Sequence, residues 1–207
     1  MTYADILRPA VRRYATLYDA MCIVGGSALV ALSAHIAVRL SFTPVPVTGQ
    51  TLAVLLLGAT LGSRRGAFAL LLYLAEGLVG LPVFSGGGVG LARLAGPTGG
   101  YLVGMAAAAW VVGLLAERGW DRRVGATILA MLIGNGVIYA FGVSWLARFV
   151  GVGQALPLGL FPFIVGDLLK LALAVALLPA GWQVVRGRRG DTSKPPAGFK
   201  PAGGSIR

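Results

Sequence analysis

A chain of 207 residues that is 57% hydrophobic, only 12% charged and has a mean hydropathy of +0.81 cannot be a soluble domain with a polar shell. The single Cys22 and single His35 exclude a disulfide framework and a Cys/His-rich metal centre. The net charge of +11 raises the question of nucleic acid, which the placement of the basic residues answers below.

Residues 1–19 are polar and mixed, with Ile6, Leu7, Val11, Tyr14, Leu17 and Tyr18 able to form one apolar side of an interfacial helix. Six apolar runs follow, at 21–40, 48–62, 66–83, 99–116, 124–148 and 156–180, and each reads as a membrane span. Residues 20–183 therefore form one all-α integral membrane domain of six transmembrane helices, with no sign of a cleavable signal peptide. From 184 to 207 the chain is basic and rich in Pro, Gly and Ser, the composition of a disordered tail.

The first run is rich in small residues. Ser27 and Ala31 stand four apart, the spacing that lets helix backbones approach, either inside the bundle or against a membrane partner. Two connections are unlike ordinary loops. In "SFTPVPVTGQT" (41–51), Pro44 and Pro46 forbid continuous helix; "FSGGGVGLARLAGPTGGYLVG" (84–104) holds eight glycines. Irregular backbone at membrane depth is tolerated only where it is buried in protein or lines a cavity, so both segments are expected to cover a pocket.

Basic residues alternate with the runs. Arg8, Arg12 and Arg13, then Arg64 and Arg65, then Arg118, Arg122 and Arg123, then Arg186, Arg188, Arg189, Lys194, Lys200 and Arg207 fall on one side. Arg39, Arg93 and Arg148 fall on the other. The rule that positive loops stay in the cytoplasm puts both termini inside. The charge thus reports orientation and contact with the lipid bilayer, and a nucleic-acid partner is not expected.

Inside the last run stand Asp167 and Lys170. A charge at bilayer depth costs about 2.5–3.5 kcal/mol even on the lenient insertion scale, and the i, i+3 spacing lets the two share that cost on one helix face. Glu76, His35, Asn135, Gln50 and Tyr73 add polar groups at middle to outer depth, which together describe a hydrogen-bonding site open to the outside. Glu76 is open to three roles: ligand contact, pairing with Arg93, or a local cap. No nucleophile–base constellation, metal-ligand spacing or P-loop is present, so no catalysis, metal or cofactor is expected.

The strings "PVPVTGQTLAVLLLGATLG" (44–62), "LYLAEGLVGLPVF" (72–84), "GPTGGYLVG" (96–104), "GNGVIYAFGVSWL" (134–146) and "PFIVGDLLKLALA" (162–174) together resemble the BioY family, the biotin-binding S components of energy-coupling factor (ECF) transporters. The resemblance implies a six-helix S component of a bacterial plasma membrane that captures biotin from outside and works with a T component and paired ATPases. It implies Asp167 as acceptor for the ureido N–H groups of biotin and Lys170 as donor to the ureido oxygen. Asn135 and Gln50 would add polar contacts; Tyr73, Phe84 and Tyr101 would wall the apolar body; Arg93 could attract the valerate carboxylate or pair with Glu76. Ser27 and Ala31 would mark the docking face for the T component. Two other functions fit the residues alone: a self-sufficient ion-coupled carrier cycling a proton on Asp167 or Glu76, and a membrane scaffold without transport.

Overall fold

The computed structural model describes residues 2–191, with side chains described to residue 183. The described chain is almost entirely helical. Helix α1 is Tyr3–Leu7, α2 Arg12–His35, α3 Gln50–Leu61, α4 Ser63–Leu78, α5 Leu91–Ala95, α6 Gly99–Glu117, α7 Val124–Val150, α8 Val152–Gly159 and α9 Ile164–Asp191. Helices α2, α6 and α7, and the run Val152–Gln183 spanning α8 and α9, are long and apolar enough to cross a membrane; α3 is apolar but shorter.

The expected runs map onto these helices with instructive differences. Helix α2 begins at Arg12, inside the segment read as interfacial, because no breaker follows Pro9 until the helix ends at His35. Only Tyr3–Leu7 forms a separate short helix. The last run is broken at Leu160–Phe163, where Pro157 and Pro162 each lack a backbone donor. Carbonyls at the break are satisfied from elsewhere: the Tyr101 hydroxyl donates to Gly159 O at 2.7 Å and the Thr43 hydroxyl to Leu158 O at 2.7 Å. Helix α9 continues to Asp191, past the composition boundary at 183; residues 192–207 of the basic tail lie outside the described residues.

Helix α6 is the axis of the bundle and the most enclosed of the long helices. It packs against α3, α4 and α7, with Met105, Ala108, Ala109 and Val112 buried. The approach of α3 to α6 is set by Gly58, where a Cβ would stand 2.6 Å from the Ala109 carbonyl oxygen. Between α3 and α4 the chain turns on Gly62 alone, at φ 86°, a left-handed value that favours glycine. The carboxylate of Glu117 then accepts the backbone N–H and the hydroxyl of Ser63, both at 2.7 Å, capping the start of α4.

At one end of the bundle α1 is stapled across the others. Arg65 on α4 reaches Asp5 at 2.9 Å and Asp19 at 2.7 Å, and Arg8 reaches Asp19 at 2.7 Å. The Tyr3 hydroxyl donates to Leu178 O, and its ring lies against Trp182 at 4.5 Å between centroids. Desolvation raises the Asp5 carboxyl, but the Thr2 N–H and hydroxyl and the Arg65 guanidinium outweigh it and hold the group below the ordinary aspartate value. A lowered native value means the stabilisation is fully present above the unfolded value, about 3.9, and is lost as pH falls through the native one. Acidification below about pH 4 is therefore expected to release α1 before the bundle opens. Amide exchange, corrected for intrinsic rates, should show Ile6 losing protection while α6 keeps its own; simultaneous loss would refute the staple.

At the opposite end, residues 37–38 pair with 47–48 in a two-stranded antiparallel ribbon, Ala37 opposite Thr48 and Val38 opposite Val47. Pro44 and Pro46 keep the intervening chain out of helix. This ribbon and the glycine-rich connection from Phe84 to Thr98 both contribute walls to an internal cavity.

Candidate functional site

The cavity is narrower than the roughly 300–1,000 Å³ usual for small-molecule pockets. Only about 50 Å³ of it is wide enough for the centre of a water molecule. A bicyclic guest would therefore have to push side chains apart.

One end of the cavity is ionic. Lys170 Nζ donates to Thr51 Oγ1 at 2.7 Å and to Asp167 Oδ1 at 3.1 Å. The Thr51 hydroxyl, 3.5 Å from the same carboxylate oxygen, passes the chain on, and the Tyr139 hydroxyl donates to Asp167 Oδ2. Lys170, Thr51 and Tyr139 line the free space, whereas Asp167, 8% exposed, stands one layer behind them. An ammonium has three N–H donors, so one remains for a guest. The pair belongs together on α9 for the reason visible in its spacing: residues three apart share a face.

The middle is aromatic and apolar. Tyr101, Tyr139 and Phe163 form a triangle with centroid separations of 6.4, 6.3 and 6.4 Å. Phe84, Met105 and Ile138 complete the wall. Phe84 is seated over Gly77, whose missing Cβ leaves the space for its ring.

A second cation marks the loop side. Arg93 on α5 lines the cavity and donates from Nη2 to the Ser85 carbonyl at 2.7 Å. The Ser85 hydroxyl, also lining the cavity, is buried and has no hydrogen-bond partner among the described residues. Such a group usually has a partner, and a ligand or water supplies it where the protein does not.

Of the residues expected to form the site, Lys170, Gln50, Phe84, Arg93 and Tyr101 line this space. Others stand apart. Tyr73 is fully buried behind Phe84, accepting from Gln50 Nε2 at 2.9 Å and donating to Val83 O at 3.3 Å. Glu76 faces α2 and accepts the Ser27 hydroxyl at 2.6 Å, so it neither lines the cavity nor pairs with Arg93. The same bond turns Ser27 fully inward, and only Ala31, half-buried, remains of the expected docking pair. His35 is exposed at the end of α2. Asn135 lies under the ionic floor, in a small void it shares with Lys170 and Thr51, and its Oδ1 has no partner among the described residues.

Sequence reasoning missed Tyr139, Thr51, Ser85 and Phe163. Helical spacing carried the signal for one of them, Tyr139, four residues after Asn135 on α7; Phe163 sits in the break before α9. Thr51 and Ser85 adjoin the expected Gln50 and Phe84, but adjacency assigns no face.

Comparison with known proteins agrees in extent as well as kind. The BioY family model matches residues 9–187. The biotin transporter BioY of Rhizobium etli is 43% identical over 157 residues, covering 72% of this chain and 84% of that protein. The probable biotin transporter BioY of Pyrococcus horikoshii is 43% identical over 150 residues, 72% and 87% of the two chains. Among solved structures, the S-component for biotin from an ECF-type ABC transporter superposes with a TM-score of 0.74 at 25% identity, covering 84% of this chain and 95% of that one.

Proposed function

The chain belongs to the BioY family, and from that premise we propose that it is a biotin-capturing S component of an ECF-type transporter. The observation that carries the reading is the cavity's polarity. One end holds an ammonium with a donor to spare, the middle is aromatic, and the other end holds a guanidinium beside a hydroxyl with no partner among the described residues. Biotin has the same order of parts: a neutral polar ureido head, an apolar thiophane and chain, and an anionic carboxylate.

In this reading Lys170 donates to the ureido oxygen. Asp167 accepts a ureido N–H when the Tyr139 hydroxyl yields its place, a movement in keeping with the narrowness of the cavity. A carboxylate has about four lone-pair sites, so Asp167 serves guest and lysine together. Tyr101, Phe84 and Phe163 enclose the apolar body. Arg93 and Ser85 take the carboxylate. Gln50 braces Tyr73 and the wall behind Phe84; Asn135 supports the floor from beneath.

Six spans are proposed, with α3 and α4 as the two short ones and both termini in the cytoplasm, on the strength of the arginine asymmetry. The cavity then faces outward in a bacterial plasma membrane. The chain carries no nucleotide-binding loop, so energisation is assigned to a T component and ATPase subunits. Ala31 remains the proposed point of helix docking.

Titration calorimetry of the detergent-solubilised protein tests both the ligand and its direction. Biotin is expected to bind one to one. Biotinamide, which lacks the negative charge, is expected to bind about 10- to 100-fold more weakly, the equivalent of one charge-assisted hydrogen bond. In Arg93→Gln the two ligands should bind alike. An undiminished preference for biotin in that variant would move the carboxylate away from Arg93, and no heat with biotin at all would reject the function.

A further inference from the structure

A second concavity lies on the outside of the bundle, between α5, α6 and α7, at the same end as the cavity. It is an open groove of about 820 Å³ and almost wholly apolar, with Leu91, Val103 and Phe141 well exposed along it. Its shape follows from small residues. Gly99 and Gly100 begin α6, and the absence of a Cβ at Gly100 lets Trp145 of α7 lie against the α6 backbone. The Trp145 indole N–H donates to Gly96 O at 2.9 Å, fixing the ring at the groove's edge. One turn on, Arg148 lies over that ring at 4.7 Å.

Among the described residues Arg148 has no acidic partner. The sequence has seven acidic residues. Asp5, Asp19, Glu117 and Asp121 are held at the α1 end, and Asp191 closes α9 toward that end. Glu76 is taken by Ser27 and Asp167 by Lys170. No carboxylate among the described residues pairs with Arg148.

We propose that this groove holds an acyl chain of a phospholipid whose phosphate pairs with Arg148. The groove sits on the flank of two helices long and apolar enough to span a membrane, so hydrocarbon is what faces it. Tryptophan and arginine at a helix end belong at headgroup depth, and guanidinium matches phosphate through parallel hydrogen bonds. A protein helix seated in the groove would leave the arginine needing an acid from that helix. A phospholipid supplies chain and anion in one molecule. Gly99 and Gly100 then serve two faces: α6 lines the cavity with Tyr101 and Leu102 and the lipid groove with Val103.

The test uses full-length protein, stripped of lipid in neutral detergent, with dioleoylphosphatidylglycerol as probe. In wild type the lipid is expected to raise the melting temperature and to be retained through gel filtration; inorganic phosphate should do neither. Arg148→Gln should retain at least fivefold less lipid, Arg148→Lys an intermediate amount. Val103→Trp, which keeps the charge but fills the groove, should lose retention as well. Biotin affinity in these variants reports an intact fold independently of the lipid result. Wild-type retention in Arg148→Gln, or equal stabilisation by inorganic phosphate, would overturn the proposal. A diazirine on the acyl chain is expected to label α6 near Val103 and α7 near Phe141 when the labelled peptides are sequenced; labelling spread evenly over α2 and α9 would also overturn it.

Discussion

Asp167→Asn is expected to lower biotin affinity by roughly 30- to 1,000-fold, about 2–4 kcal/mol, the range for truncating one partner of a buried charged hydrogen bond. The carboxylate organises the entire floor: it accepts from Lys170, Thr51 and Tyr139. Asparagine preserves the shape but offers one acceptor oxygen in place of two and leaves the ammonium without its counter-charge in a low-dielectric site. Because the ureido end alone is affected, biotin and biotinamide should lose affinity equally, the reverse of the pattern for Arg93→Gln. Wild-type affinity in Asp167→Asn would remove the ureido contact from the mechanism.

Loss of stability could imitate loss of binding, since breaking a buried ion pair from one side is itself costly, about 3–5 kcal/mol. The double variant Asp167→Leu/Lys170→Met separates the two. An apolar pair of similar volume commonly matches or exceeds a buried ion pair in stability, so this protein should melt near the wild-type temperature yet bind no biotin. Such a result would mean that the pair is kept for its guest and that helix rotation can be fixed without it.

Gly58→Leu is expected to abolish folded, extractable protein, at a cost above the roughly 1–3 kcal/mol typical of overpacking. The obstacle at this position is backbone: the Ala109 carbonyl oxygen at 2.6 Å and the Ala109 Cα at 3.1 Å from the new Cβ. No rotamer change relieves either contact, and α3 could clear them only by moving away from α6. That movement would carry Gln50 and Thr51, at the start of α3, out of the cavity wall. Gly58→Ala should fall between, and saturating biotin should restore little of the loss. Near-normal yield and melting temperature for Gly58→Leu would contradict the close approach of α3 to α6.

The two non-helical connections show how much of the site was legible beforehand. Proline at 44 and 46 forbids regular helix and the glycines at 86–90 disfavour it, so the role of both segments as cavity wall was open to inference from local chemistry. The Asp167–Lys170 pair was legible for the same kind of reason: its spacing guarantees a shared helix face, and its charge demands a partner. The break between α8 and α9 was written in Pro157 and Pro162 but hidden by an unbroken apolar run. Only the hydroxyls of Tyr101 and Thr43, arriving from distant segments, make such a break tolerable.

Depth and facing were another matter. Ser27 reads as a small residue at a helix surface and is in fact the fully buried partner of Glu76. Tyr73 and Glu76 sit on one helix among polar residues of similar depth, yet neither reaches the cavity, while Tyr139, unremarked among apolar neighbours, does.

By itself the sequence determined that the chain is a helical membrane protein, where regular helix must fail, and that an acid and a base on the last helix need each other. Tertiary structure alone decided which polar groups meet. In a soluble helix the polar face points to water and the apolar face to the core, so hydrophobic periodicity assigns both; in lipid the two environments are alike apolar, the periodic signal vanishes, and only packing against actual neighbours tells a wall of the cavity from a surface in the bilayer.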